Sequence, residues 1–98
     1  MTDRVTTQDR ELDLTDIEAK LAEYEAARTA QLAGIDTSPD EVTAAYRETV
    51  ERLLQEIRFA RARIAEGRYG TCTRCGADIP LARLEWRPWA VTCTNCAR

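Results

Sequence analysis

The residues best equipped for chemistry are four cysteines, the only ones in the chain. They fall as Cys72-Thr-Arg-Cys75 and Cys93-Thr-Asn-Cys96, with seventeen residues between the pairs. Two thiolates two residues apart can grip one cation from a single tight turn. Two such turns supply four sulfurs, a closed tetrahedral shell with Zn–S near ~2.3 Å. A closed shell leaves no open coordination position, so the expected role is structural, with one Zn(II) held by Cys72, Cys75, Cys93 and Cys96. Disulfides suit secreted chains, and a redox dithiol needs a βαβ setting that this sequence lacks. A four-thiolate iron–sulfur cluster is the alternative the spacing leaves open.

No other constellation points to a reaction. The chain has no histidine, no glycine-rich phosphate loop and no nucleophile beside a base, so it is not expected to be an enzyme.

Ninety-eight residues make one small domain, or a smaller one with an extension. The 44% hydrophobic and 32% charged fractions fit a soluble, helix-rich chain. No apolar run approaches the roughly 18 residues of a membrane span, and residues 1–10 lack the apolar stretch of a signal peptide. Thiols kept for metal agree with a reducing, cytoplasmic setting. The net charge of -3 is unevenly spread: residues 1–51 carry 5 basic and 13 acidic side chains, residues 52–98 carry 9 and 4. Zinc with four thiolates adds about -2 to the second half. Only mild basicity remains there, so direct nucleic-acid binding through phosphate contacts is not expected.

Two long elements must carry the cysteines. Residues 1–14 are polar and read as flexible or loosely helical. Thr15-Asp-Ile-Glu18 has the pattern of a capping box, and Ile17, Leu21 and Tyr24 recur at helical spacing, predicting a first helix over 15–33. Gly34 can close it in the left-handed conformation. Ser38-Pro39-Asp40-Glu41 predicts a second start, with Ser38 as cap and Pro39 in the first helical position. The second helix is predicted over 39–66, ending at Gly67. Its seam is Tyr46, Val50, Leu53, Ile57, Ala60 and Ile64. At 1.5 Å per residue the two helices span roughly 28 Å and 42 Å. A short turn at about 34–40 makes them antiparallel neighbours over 15–66. The expected architecture is mostly α: an antiparallel two-helix coiled-coil hairpin with a four-cysteine zinc module over 67–98.

The module has only 32 residues, few enough to need a staple. Pro80 can open a short helix through Leu84 that Arg87-Pro88 stops. Ile79, Leu84, Trp86, Trp89 and Val91 form its expected core. Glu18, Glu23, Glu25, Glu48 and Glu51 read as outer-face charges, and Arg58, Arg61, Arg63 and Arg68 as a solvated or partner-facing group.

The cysteine spacing also occurs in GATA-type DNA-binding fingers, but those have a basic tail after the last cysteine, and here Ala97-Arg98 follow. The intervening residues decide between them: Tyr69-Gly70-x-Cys72-x-x-Cys75-Gly76-x-x-Ile79-Pro80-x-x-Arg83-Leu84-x-x-x-Pro88, then Cys93-x-x-Cys96. This closely resembles the DksA/TraR family of bacterial RNA-polymerase-binding zinc proteins, over about a third of the chain. The resemblance implies a monomer that docks near the polymerase secondary channel and pushes its helical hairpin inward, altering initiation. The family's tip pattern D-x-x-D-x-A aligns with Thr37-Ser-Pro-Asp40-Glu-Val42. Asp40 is kept, the first Asp is Thr37, the Ala is Val42, and Asp36 lies one residue earlier. The resemblance thus makes Asp36 and Asp40 the candidate tip acids and Arg87 the candidate polymerase or nucleotide contact. Glu56 and Ala97 stand where the family has lysines, so dependence on guanosine tetraphosphate is expected to be weak or absent. The alternatives are a zinc finger that binds DNA directly and a coiled-coil adaptor whose zinc is purely structural.

Overall fold

The computed structural model describes residues 4–7, 10–37 and 39–97. Strands β1 (Arg4–Thr7) and β2 (Arg10–Asp13) pair antiparallel, Arg4 opposite Asp13 and Thr7 opposite Arg10. Over 4–7 and 10–13 the backbone is therefore extended and not loosely helical, while residues 1–3, 8 and 9 of that expected segment lie outside the described residues. Val5, Thr6 and Thr7 are β-branched and favour extended chain. Two strands are marginal alone, and this pair is anchored by Leu12, 6% exposed and part of the main core.

Helix α1 spans Leu14–Ala33. Its cap is Asp13, whose carboxylate accepts from Asp16 N at 3.1 Å, not Thr15 as the box pattern predicts. Aspartate is the stronger cap. It also places Leu12 just before the cap and Ile17 in the fourth helical position, the geometry of a hydrophobic staple. Gly34 ends the helix in right-handed backbone (φ -90, ψ -3), not left-handed, with its N–H shared between Ala30 O and Gln31 O.

Helix α2 spans Glu41–Ala65. Asp40 caps it, accepting from Thr43 N at 3.0 Å and Thr43 Oγ1 at 3.2 Å. Pro39 precedes the cap, and Ser38 lies outside the described residues. At the far end Arg68 N donates to Arg63 O and Gly67 N to Ile64 O, with Gly67 at φ 74. This is the Schellman pattern, which needs a left-handed residue where glycine stands.

The helices run antiparallel, as the contacts at each end require. Gln31 meets the Tyr46 hydroxyl near the tip, while Arg61 meets Glu18 near the foot. The seam differs from a strict heptad. Val50, Leu54, Ile57 and Ala60 are buried, Leu53 and Ile64 are half-buried, and Tyr46 is 48% exposed. The lower half of α2 serves two neighbours at once. Leu53, Ile57, Ala60 and Ile64 join one core with Leu21 of α1 and Ile79, Leu84 and Cys93 of the module, which widens the apolar face beyond a two-helix stripe. Arg63 is 8% exposed because its guanidinium donates to Arg68 O (2.9 Å) and Thr71 O (2.8 Å), tying α2 to the module.

Glu18 and Glu25 are not outer-face charges. Arg61 bridges to both, at 3.0 Å and 2.6 Å, and Arg58 bridges to Glu25 at 2.9 Å. Hydrogen bonds from Arg61 and then Arg58 hold the Glu25 carboxyl below its ordinary value of 4.5. A carboxylate depressed in the folded state contributes stability that is full above its unfolded pKa and lost as pH falls through the folded one. The clamp is thus expected to weaken in acid below about pH 4.5. Arg61→Ala should cost roughly 1 kcal/mol at neutral pH, the scale of a few exposed pairs, and flatten that acid loss. Urea melts of both proteins across pH 7 to 3 check this.

Helix α3 (Leu81–Trp86) follows Pro80. It buries Leu84 but leaves Trp86 85% exposed, so Trp86 is not a core residue. On a one-and-a-half-turn helix, residues two apart point to different sides. No helix among the described residues is long and apolar enough to cross a membrane.

Candidate functional site

The module assembles its sulfurs through two knuckles laced together by backbone. Cys72 N donates to Ala77 O (2.8 Å) and Gly76 N to Cys72 O (3.0 Å), closing a turn in which Gly76 takes φ 79. Thr71 and Asp78 form a bridge behind it. Ala97 N donates to Cys93 O in the second knuckle, and Thr73 N to Val91 O joins the two. Tyr69 OH donates to Pro88 O at 2.7 Å inside the core, fixing the loop between them.

The ligand atoms of Cys72, Cys75, Cys93 and Cys96 all lie within 4.8 Å of one another. Cys75 and Cys93 sulfurs stand 3.7 Å apart. A tetrahedron with metal–sulfur bonds of ~2.3 Å has edges of about 3.8 Å, whereas a disulfide would need ~2.05 Å. The donor set therefore fits one metal ion, and all four cysteines are free thiols. The electrostatics agree. Burial pushes the Cys72 thiol up, but backbone hydrogen bonds from Cys93, Arg74 and Cys75 together outweigh it and bring it down to about 6. Arg74 N donates to its sulfur at 3.4 Å. The Cys93 thiol is also lowered, chiefly by the backbone of Cys96. Cys96 is pushed up to about 12 by the sulfurs of Cys93, Cys75 and Cys72. Crowded thiolates repel one another, and a cation at their centre removes that repulsion. Metal loading at pH 7 is expected to release the Cys96 proton to the buffer. Calorimetry in two buffers of different protonation heat measures it, and loading with no proton release would contradict the assignment.

At the opposite end, Asp36 and Asp40 are both exposed. The Asp40 carboxylate caps α2, and the Asp36 carbonyl accepts from Arg47 Nη2 at 2.8 Å. The fold thus puts two acids at the turn of a body 48 Å in its longest dimension, with one of them already serving the backbone.

Arg87 lies beside Glu56, Arg83 and Ala97 around one depression of about 280 Å³ floored by Trp89 and Ala90. Residues far apart in sequence are brought together there by the packing of α2 on the module. Arg83 is committed to Thr92 O at 2.9 Å. The other arginines singled out in the sequence are not in this depression: Arg58 and Arg61 face the acids of α1, and Arg63 is buried. Sequence reasoning missed the structural parts of Arg63 and Tyr69, and the T-shaped contact between Tyr24 and Trp89, centroids 5.4 Å apart at 84°. Only a tertiary contact reveals these, since each partner lies on a different element.

Residues 67–98 match the prokaryotic dksA/traR C4-type zinc finger. An uncharacterized protein of Aquifex aeolicus (strain VF5) is 48% identical over 44 residues, covering 45% of this chain and 30% of that protein. The RNA polymerase-binding transcription factor DksA of Buchnera aphidicola subsp. Acyrthosiphon pisum (strain APS) is 34% identical over 50 residues, covering 51% of this chain and 33% of that protein. The matched stretches thus span about a third of the length of these curated relatives. The solution structure of a DnaK suppressor protein from Agrobacterium tumefaciens C58 superposes with a TM-score of 0.72 at 26% identity, covering 95% of this chain and 97% of that one.

Proposed function

We propose that this chain, whose residues 67–98 are a DksA/TraR-type zinc finger at the foot of a two-helix hairpin, is a non-catalytic transcription regulator of RNA polymerase. It docks near the secondary channel and inserts the hairpin to modulate initiation. Its four cysteines hold one structural Zn(II), and it acts as a cytoplasmic monomer. The observation that carries the reading is the joint one: the finger's sequence pattern, a fold like that of a DnaK suppressor protein over nearly the whole chain, and two acids at the turn of a body 48 Å in its longest dimension.

Zinc is the ion because four thiolates in tetrahedral spacing suit a borderline-soft dication without geometric demands. Docking falls to the foot, and any effect on the active centre falls to Asp36 and Asp40. Arg87 is a contact to polymerase or nucleotide. Glu56 places a negative charge in the same depression, and Ala97 removes a positive one, which supports weak or absent alarmone dependence. Guanosine tetraphosphate binding to the polymerase complex that disappears on Arg87→Ala would refute that point.

Pull-down of core polymerase by the zinc-loaded protein tests the reading. Binding is expected, and its absence would overturn it. Asp36→Asn with Asp40→Asn keeps a side-chain cap on α2, since asparagine caps as well as aspartate, while removing both charges. The double variant should bind polymerase like the parent and lose at least most of its effect on initiation-complex lifetime. An unchanged effect removes the tip acids from the mechanism.

A further inference from the structure

We propose that the groove between the start of α1 and α3 is a second docking site, for a short apolar segment of a partner protein flanked by lysine or arginine. The proposal goes beyond the polymerase reading: neither the tip acids nor Arg87 line this groove.

Helix α3 is held down by one large side chain, Leu84, and presents two others to solvent, Leu81 at 47% and Trp86 at 85% exposure. Trp86 does not line the groove but Leu81 does, and it is a contiguous apolar surface, not a lone exposed side chain, that marks an interaction site. Leu81 does not stand alone. With Leu12, Ile17, Leu84 and Pro88 it floors an open groove of about 340 Å³. At roughly 30 Å³ per water that is the room of about ten waters, enough for an anchoring side chain or two.

The walls are set in advance. Leu12 and Ile17 belong to the staple at the start of α1, and the carbonyl of Pro88 is held by Tyr69. A preformed groove costs little ordering on binding. The rim selects the occupant. Among the described side chains that line it, Asp13, Asp16 and Glu85 stand around the floor with one cation, Lys20, whose ammonium already lies 3.1 Å from Asp16. An apolar floor disfavours a free ion, and a net acidic rim disfavours an acidic segment. Complementarity therefore calls for an apolar anchor with basic neighbours.

The test uses the full, zinc-loaded chain labelled with nitrogen-15, and two helical peptides with the same leucine face, one flanked by lysines and one by glutamates. The lysine peptide is expected to shift the amides of Ile17, Lys20, Leu81 and Glu85 saturably, and less at high salt, while the glutamate peptide shifts none. Leu81→Ser and Glu85→Lys, both at exposed positions, should each weaken binding at least tenfold with an unchanged melting curve. Equal response to both peptides, no saturation by the lysine peptide, or shifts confined elsewhere overturns the proposal. A concentration-dependent dimer that Leu81→Ser abolishes assigns the groove to a second copy of this chain and overturns it too.

Discussion

Stripping the metal is expected to undo both the module and the root of the hairpin. Cys72 and Cys93 are not appended to the core but are members of it, 3% and 8% exposed, in one cluster with Leu21 of α1 and Ile57 and Ala60 of α2. Structural zinc contributes on the order of 10–16 kcal/mol in small peptides at neutral pH. Whole domains are stable by only about 5–15 kcal/mol. An ion bound with that strength would match the net stability of a typical domain. Chelator treatment, or Cys93→Ser, should abolish the cooperative thermal transition. It should also release Trp89 from the Tyr24 ring, read as a red shift of tryptophan emission above the constant signal of exposed Trp86. Helical signal should fall less than the tryptophan signal. The Asp40 cap and the ion pairs of Arg58 and Arg61 lie outside the module. Retention of the parent melting curve by metal-free protein would remove the structural role of the ion.

Ile57→Ala should be among the most damaging truncations of an aliphatic side chain, alongside those at the equally buried Leu21 and Ile79, costing about 2–5 kcal/mol, the range for emptying a fully buried site. Ile57 is 0% exposed at the level where α1, α2 and the module meet, so no single neighbour can move in to fill the space. A matched pair of variants tests the packing register. Leu54 is 4% exposed and Leu53 only half-buried, so Leu54→Ala should destabilise more than Leu53→Ala. A strict heptad seam predicts the reverse order. Tyr46→Ala, at a side chain 48% exposed, should cost far less than either. Urea denaturation midpoints at constant slope decide the ranking.

What the chain's own order of residues determined is local. The paired C-x2-C turns set the sulfur geometry, because two residues between cysteines leave little choice of turn. Helix-forming stretches on either side of the turn from Gly34 to Asp40 set two helices, and Gly67 ends the second because only glycine readily takes the φ that its cap needs. The tertiary structure decided which sides of those helices face what. A heptad assumes one partner, but α2 has two: Leu53, Ile57, Ala60 and Ile64 join the core shared with the module, and Arg63 is buried on backbone carbonyls, while Leu54 is buried and Tyr46 exposed. Glu18 and Glu25 look like solvated charges until α2 brings Arg58 and Arg61 against them. Residues 4–13 lack any helical or strong strand period, and Leu12 finds its place only once a core exists for it to enter. Spacing along the chain encodes short-range geometry, while burial depends on partners tens of residues away, and those are supplied only by folding.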